Sequence, residues 1–315
     1  MVVFCLISRS VWAIVIGGVI GAIAKAALSH AALQGERNHF TYDRAAAKEL
    51  FGFGRWIFVS TSVSFLALQV DRLMLGKFVP IGLLGVYSIA ANLASLAPTV
   101  ASSLANSVLF PLLAHHSRTD SIAYESSLRT ARAIILKGAL FVLAGLALVS
   151  PAFFRILYDQ RYAEAAWMAQ LLTVAMWFWM LMISADRAVL AMGESKTLAV
   201  ANGWSLAAKV AACAAGFHFG GLPGFILGLA VGNLAGHIPI VLALRRSGIH
   251  IAQQDLLYTA IAIGSVGGGV LLQRLAMTRL DGRWLTWVEM GVALLVLIPL
   301  GWQALKHARH AMKRA

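Results

Sequence analysis

The stretch that decides the fold is residues 197–244, TLAVANGWSLAAKVAACAAGFHFGGLPGFILGLAVGNLAGHIPIVLAL, in which Lys209 is the one charged side chain. A transmembrane helix needs about 20 mainly apolar residues. The stretch is long enough for two such helices, and we predict spans at Thr197–Phe217 and Leu222–Leu244. Helices suit a lipid environment because they satisfy every backbone hydrogen bond within the segment.

Glycine recurs at every fourth position along the second half of this stretch. Residues four apart lie on one face of a helix, and a face without side chains lets a neighbouring helix approach closely. This glycine face indicates either a static packing contact between helices or an interface at which two helices slide past each other in an alternating-access transporter. The five positions are Gly220, Gly224, Gly228, Gly232 and Gly236.

The whole composition agrees with a membrane protein. Apolar residues make up 60% of the 315 residues and charged residues 12%, against about 45–50% and about 25% in soluble domains. The formal net charge is +13, but no basic run is interleaved with aromatic residues, which argues against nucleic acid. We therefore expect the lipid bilayer to be the main partner, with basic residues enriched in the cytoplasmic loops.

About nine segments reach the length of a spanning helix, and none shows the short alternating pattern of a membrane β-barrel. The sequence therefore predicts an all-α, polytopic transmembrane helix bundle. The nine spans are Ser10–Ala32, Trp56–Gly76, Ile81–Leu113, Ala131–Ala152, Ala165–Met192, Thr197–Phe217, Leu222–Leu244, Leu256–Leu272 and Trp284–Gln303.

The run Ile81–Leu113 contains Pro98 and permits either one kinked span or two short ones. With one span, the loops carry 14 Lys and Arg residues on one side, with Arg132 counted among them, and 7 on the other. With two spans, the division becomes 9 against 12. The single span gives the stronger positive-inside asymmetry, so we predict a cytoplasmic C-terminus, an external N-terminus and a cytoplasmic loop at Leu33–Arg55.

Ionisable residues within or near the spans include Asp186 and Arg187, towards a span end, and five candidate site residues: Lys25, Asp71, Arg72, Lys137 and Lys209. A charge at a helix centre costs about 2.5–3.5 kcal/mol on insertion scales, so each needs a partner or a hydrated cavity. One interpretation is a cationic cavity that attracts a phosphate-bearing substrate. The other is that the long side chains reach the headgroup region separately.

Uncharged polar side chains within the spans are expected to form hydrogen bonds between helices, which contribute about 0.6 kcal/mol each on average. They are Asn92, Asn106, Asn202, Asn233 and His237.

Motifs of soluble chemistry are missing from the sequence. It has no GxxxxGK[ST] phosphate loop, no HExxH and no nucleophile elbow. Its two cysteines have no metal-ligand spacing. We therefore predict no catalytic residue, no metal site and no cofactor, and a protein that is not an enzyme.

A resemblance to a known family rests on Glu49–Ala114. This stretch resembles the polysaccharide-export flippases, the Wzx-like proteins of the multidrug/oligosaccharidyl-lipid/polysaccharide superfamily that also contains the MATE transporters. The order and spacing of short motifs carry the resemblance: Phe53–Gly54, Asp71–Arg72, Leu75–Gly76, Leu84–Ser88 and Phe110–Pro111.

The resemblance implies translocation of a polyprenyl-pyrophosphate-linked oligosaccharide across the bacterial inner membrane, for the synthesis of a surface polysaccharide. It implies three regions: residues 1–52, with a span like the sixth of the family and a cytoplasmic linker; residues 53–244, a six-helix bundle like the C-terminal lobe; and residues 245–315, two further spans and a basic tail. Most of the family's N-terminal lobe is expected to be absent, so a separate lobe would be a partner.

Three alternatives remain open at this point, one of them a non-transporting remnant with only a structural role. A MATE-like multidrug antiporter would want an acidic cavity, whereas the spans hold more cations than anions. A membrane polymerase or ligase of polysaccharide assembly would typically show a large external loop, which the sequence does not contain.

Overall fold

A computed structural model describes residues 11–32, 44–104, 121–277 and 285–312 of the chain. The regular structure in these ranges is entirely helical, which confirms the all-α prediction. The helices are α1 Val11–Ala32, α2 Arg44–Phe78, α3 Ile81–Ala94, α4 Leu96–Leu104, α5 Ser121–Leu157, α6 Ala163–Ala191, α7 Ser195–Arg246, α8 Ala252–Ala262, α9 Gly268–Met277 and α10 Leu285–Met312.

The chain divides into two compact units, Met1–Ile57 and Phe58–Ala315. The first unit contains α1, whose apolar side chains are largely exposed, as at Trp12 and Ile23. The second unit contains the remaining helices from the second half of α2 onward. Apolar side chains can remain exposed on a helix whose surroundings are lipid rather than water.

Several helices are long and apolar enough to cross a bilayer. In the described ranges they are Ile81–Ser103, Tyr124–Leu157, Gln160–Ala191, Lys196–Arg246 and Ala252–Leu275, and shorter apolar helices occupy Val15–Ser29 and Trp287–Gln303. These segments confirm that the chain is a multi-pass membrane protein.

Helix α7 is a hairpin of two arms. At 1.5 Å per residue its 52 residues would extend about 78 Å, more than twice the thickness of the hydrocarbon core. The helical geometry breaks at Gly221, with φ 58° and ψ −144°, a conformation that glycine adopts far more readily than other residues. Residues 195–220 and 222–246 therefore form separate arms, close to the predicted spans Thr197–Phe217 and Leu222–Leu244.

Helix α6 lies at the centre of the second unit. Its buried residues contribute to three apolar clusters: Leu172 packs with α3 and α7, Val189 with α5 and α7, and Met180 with α5 and α8. Many of the residues around it are alanines, which allow close helix packing within a membrane. The predicted span Ala165–Met192 agrees with α6 to within two residues at its start and one at its end.

Several helices differ from the predicted spans: α2 begins at Arg44 rather than Trp56, and α10 ends at Met312 rather than Gln303. Helix α5 begins at Ser121 rather than Ala131, because the polar first turns continue the helix without contributing to hydropathy. The run around Pro98 is kinked at Ser95, between α3 and α4, and the Thr99 N–H donates to the Ser95 carbonyl. The end of the predicted span Ile81–Leu113 lies outside the described residues, as do Asn106 and the Phe110–Pro111 motif.

A candidate functional site between the first helices of the second unit

Two motif residues meet between α2 and α3. The Tyr87 hydroxyl donates a hydrogen bond of 2.6 Å to Oδ2 of Asp71, and the Tyr87 side chain is fully buried. The other carboxylate oxygen, Oδ1, is buried and has no hydrogen-bond partner within the part of the chain that the structure describes. Since a buried carboxylate oxygen without a donor is costly, Oδ1 is available to accept a hydrogen bond from a bound molecule.

Arg72 points to a different part of α3. Its Nη2 donates to Oδ1 of Asn92 at 2.6 Å, and its Nη1 lies 3.4 Å from Oε1 of Gln69. Asn92 is exposed, so this guanidinium lies where the helix pair opens outward. The adjacent Asp71 and Arg72 therefore each have their own partner on α3, as the angle of about 100° between successive helical residues predicts.

Lys209 adds a second cation from the first arm of α7. Its Nζ donates a hydrogen bond of 3.2 Å to the carbonyl of Ala67 on α2, and its ammonium interacts electrostatically with Asp71. The aliphatic part of the Lys209 side chain packs against Gly232, where a Cβ would lie too close to Cγ of Lys209. The missing side chain at Gly232 thus makes room for this lysine.

We call Asp71, Arg72, Tyr87, Asn92 and Lys209 the Asp71 cluster. Its formal charges, two cations and one carboxylate, leave a net charge of +1. Arginine and lysine both bind phosphate well, arginine through its planar fork and lysine as a point charge. The cluster therefore combines groups that attract an anion with an acceptor oxygen suited to a hydroxyl group.

Another cation predicted for this cavity, Lys137, lies elsewhere in the second unit. Lys137 on α5 sits above the ring of Tyr258 on α8, with Nζ 5.8 Å from the ring centroid, and lines a separate cavity of about 160 Å³ with Gln303 of α10. Lys25 is exposed on α1, in the first unit. The structure therefore brings Lys209 to Asp71, while the adjacent Arg72 bonds Asn92 on the same helix pair, and Lys137 lies apart from all three.

The glycine face packs inside the α7 hairpin. A Cβ added at Gly228 would lie 2.6 Å from backbone atoms of Ala212, and one at Gly236 would lie 2.6 Å from Cβ of Ser205. Gly224 approaches the backbone of Gly216 just as closely, and Gly232 approaches Lys209. Gly220 differs because it precedes the break at Gly221, and a Cβ there would meet nothing within 4 Å.

A buried ionic network around Arg132, which we name the Arg132 network, was not predicted from the sequence. Arg132 on α5 is fully buried, and its guanidinium donates to Oδ1 of Asp255 on α8 at 2.6 Å and to Oγ of Ser184 on α6 at 3.2 Å. His237 on α7 lies 2.9 Å from Oδ2 of Asp255. Since a carboxylate only accepts, the imidazole donates through Nε2–H.

Because Arg132 is buried in this network, it is not a loop residue. Its inclusion among the 14 Lys and Arg residues counted in the loops on one side was therefore wrong. A signal was present in the sequence: Asp255 is one of only 13 acidic residues and stands at the start of an apolar run. His237 was expected to bond between helices, and this is confirmed, as it is for Asn233, which donates to the Ala175 carbonyl at 2.8 Å.

A second ionic contact joins α5 to α10. Two guanidinium nitrogens of Arg155 contact the two carboxylate oxygens of Glu289 at 3.2 and 3.0 Å, and Glu289 is buried. Gln273 of α9 donates to the carbonyl of Glu289 at 3.3 Å and to that of Leu148 at 2.8 Å. The last helices are therefore attached to α5 at this contact as well as at the Arg132 network.

Comparison with known proteins identifies a relative in sequence and a similar solved structure. The chain is 25% identical over 126 residues to the teichuronic acid biosynthesis protein TuaB of Bacillus subtilis (strain 168), a match that covers 40% of this chain and 26% of TuaB. The fold is similar to that of the lipid II flippase MurJ in an inward closed conformation, with a TM-score of 0.63 at 12% identity. That match covers 84% of this chain and 56% of MurJ.

The chain therefore spans about a quarter of TuaB and somewhat more than half of MurJ. A family model described as polysaccharide biosynthesis protein matches residues 1–167, which include α1 to α5 and all the residues of the Asp71 cluster except Lys209. This match extends over more than half of the chain and agrees with the motifs around Asp71 and Tyr87. The chain belongs to this family of polysaccharide biosynthesis proteins.

Proposed function

We propose that the chain takes part in moving a polyprenyl-pyrophosphate-linked oligosaccharide across the bacterial inner membrane, in the synthesis of a surface polysaccharide such as O-antigen, capsule or exopolysaccharide. Membership of the polysaccharide biosynthesis family and the likeness to a lipid II flippase support this function. The observation that carries it is the Asp71 cluster, a group of charged and polar side chains assembled from α2, α3 and α7.

The chemistry of the cluster fits such a substrate. A pyrophosphate would be attracted by Arg72 and Lys209, and a sugar hydroxyl would donate to the free Oδ1 of Asp71. Passage of a polar headgroup requires contacts that replace its hydration. The cluster would supply these contacts without forming or breaking a covalent bond, so the chain would act as a transporter rather than an enzyme.

The same charges bear on the alternatives. A MATE-like antiporter for cationic drugs would be served by an excess of carboxylates, whereas the Asp71 cluster contains two cations and one carboxylate. For a polymerase or ligase, the cluster would need a nucleophile and a base in hydrogen-bond contact. In the described residues of the cluster, the contacts of Asp71 are to Tyr87 and, electrostatically, to Lys209.

We propose that the C-terminus is cytoplasmic, which is supported by the excess of basic residues in the loops on that side. Removing Arg132 from the loop count changes the division from 14 against 7 to 13 against 7, because the buried residue no longer counts. The asymmetry remains. Since the chain covers 56% of MurJ, we also propose that a further lobe completes the substrate pathway.

Neutral substitutions in the Asp71 cluster test the function. We expect Lys209→Gln and Arg72→Gln each to slow export of the polysaccharide about tenfold, because a lost hydrogen bond to a charged group costs about 1.5–3 kcal/mol. Export would be measured as labelled polysaccharide reaching the cell surface, in cells whose own copy of the gene is replaced by the variant. Lipid-linked precursor should accumulate at the cytoplasmic face.

Lys137→Gln is the matched control, since it removes an equally intramembrane cation that lies outside the Asp71 cluster. It should leave export within about twofold of the unsubstituted protein. All three variants must reach the same abundance in the membrane by immunoblot. Normal export by both Lys209→Gln and Arg72→Gln, or equal loss in all three variants, would contradict the assignment to the Asp71 cluster.

A further inference from the structure

A cavity of about 360 Å³ opens at the end of the bundle where α7 ends and α8 begins. Arg129 of α5, Arg245 of α7 and His250 of the connecting turn line its polar side. Val241, Ile249 and Ile251 line its apolar side. Because the cavity lies at a turn between two spans, it belongs to the level of the lipid headgroups rather than to the membrane centre.

The cavity wall is held in place by hydrogen bonds. Nη2 of Arg129 donates to the His250 carbonyl at 2.8 Å and pairs with Oε1 of Glu125 at 2.9 Å. Nε2 of Gln254 donates in return to the carbonyl of Arg129 at 2.9 Å. These contacts join α5 to the turn, so the cavity is preformed and a ligand would not have to order it.

The turn itself is fixed by a helix C-cap. The Ile249 N–H donates to the Leu244 carbonyl at 2.9 Å, and Gly248 has the positive φ of 81° that this termination uses. Ile249 is thereby buried beside the cavity. Arg245 precedes the turn with its side chain exposed, and no carboxylate pairs with it in the described portion of the chain.

The charge of the cavity is positive. Glu125 balances Arg129, which leaves the charge of Arg245 uncompensated. The amide groups at the start of α8 carry partial positive charge, but the carbonyl groups at the end of α7 carry the opposite partial charge. The helix termini therefore offset each other, and the arginines decide the sign.

We propose that this cavity binds the phosphate of an anionic phospholipid, with the guanidinium groups of Arg129 and Arg245 around the phosphate and the start of an acyl chain against Val241, Ile249 and Ile251. Basic pockets between membrane helices favour anionic headgroups. An apolar wall next to the cations fits a lipid better than a soluble anion. The site is separate from the Asp71 cluster and does not depend on the proposed transport function.

Native mass spectrometry of the purified full chain in detergent tests the site, with dioleoyl phosphatidylglycerol and dioleoyl phosphatidylcholine as probes. We expect preferential retention of phosphatidylglycerol, and about fivefold weaker retention in Arg245→Gln, from the usual contribution of one basic residue to anionic lipid binding. Arg246→Gln is the matched control, because it removes the same charge one residue further on, outside the cavity. Its retention of phosphatidylglycerol should stay within about twofold of that of the unsubstituted protein.

Further measurements distinguish a lipid phosphate from free inorganic phosphate and check that each variant is folded. Excess inorganic phosphate should fail to displace the lipid, and Arg245→Lys should retain most of the binding. The melting temperature without added lipid verifies that each variant is folded, and Arg245→Met supplies a second neutral variant. Equal loss in the Arg245→Gln and Arg246→Gln variants, equal retention of the two lipids, or displacement by inorganic phosphate would each overturn the proposal.

Discussion

Replacing Asp255 with alanine is expected to lower the free energy of unfolding by about 3–5 kcal/mol, because removing one partner of a buried ion pair leaves the other charge without compensation. Arg132 is fully buried and, among the residues that the structure describes, would retain the two neutral acceptors Ser184 and Gln254. His237 would lose its partner as well. The unfolding free energy can be measured by titration with sodium dodecyl sulfate in mixed micelles.

The exposed pair of Arg161 and Asp159 supplies the control. Its side chains are 81% and 75% exposed, so Asp159→Ala should change stability by no more than about 1 kcal/mol. A second comparison isolates the uncompensated charge: adding Arg132→Met to Asp255→Ala should recover much of the loss, since apolar replacements of a whole buried pair are often tolerated. A small effect of Asp255→Ala, similar to that of Asp159→Ala, would show that the Arg132 network does not hold α8 to the bundle.

Adding a single methyl group at Gly228 is expected to destabilise the protein by about 1–3 kcal/mol, the usual cost of overpacking. The new Cβ would lie 2.6 Å from backbone atoms of Ala212 and 2.7 Å from Cα of Cys213. Backbone atoms cannot rotate out of the way, so the two arms of α7 must separate. Thermal unfolding of Gly228→Ala in detergent measures the effect.

Gly220→Ala is the control from the same glycine pattern. A Cβ at this position meets nothing within 4 Å, and alanine is the better helix former by up to about 1 kcal/mol. Its melting temperature should equal or exceed that of the unsubstituted protein. If Gly228→Ala melts at the same temperature as Gly220→Ala, the glycine face is not a close packing surface.

Helices that are apolar throughout were predictable from the sequence. Span lengths located α6 and the two arms of α7 because hydropathy alone marks a segment that must lie in lipid. The same criterion missed the start of α5, since residues 121–130 mix polar side chains with the buried Tyr124 and Leu128 and so lack the hydropathy of a span. The division into residues 1–52, 53–244 and 245–315 stays a prediction.

The ionic contacts were not predictable, because they depend on which helices become neighbours. Arg132 and Asp255 are 123 residues apart, and Arg155 and Glu289 are 134 apart. Each of these residues, taken alone, looks like a loop or span-end charge. Only the packing of α8 and α10 against α5 shows that the charges are paired, with Arg132, Asp255 and Glu289 buried and Arg155 exposed.

Part of the candidate site followed from the sequence. The motif residues Asp71 and Arg72 and the isolated Lys209 were identified from their positions within apolar runs, and the structure brings Lys209 to Asp71 while Arg72 bonds Asn92 nearby. Tyr87 was part of a motif, but its contact with Asp71 depends on how α3 packs against α2. Lys137 met the same sequence criterion as Lys209 and lies elsewhere, since intramembrane charge does not specify which face of a bundle a helix presents.

Translocation measured in membrane vesicles tests the central claim most directly. Inside-out vesicles from cells that produce the chain would receive a labelled polyprenyl-pyrophosphate oligosaccharide in their outer leaflet, and an added glycosidase would report how much sugar becomes protected in the lumen. Protection should rise with the unsubstituted chain and about tenfold more slowly with Lys209→Gln, as expected for a lost hydrogen bond to a charged group. Protection at the same rate in vesicles that lack the chain would contradict a role in translocation.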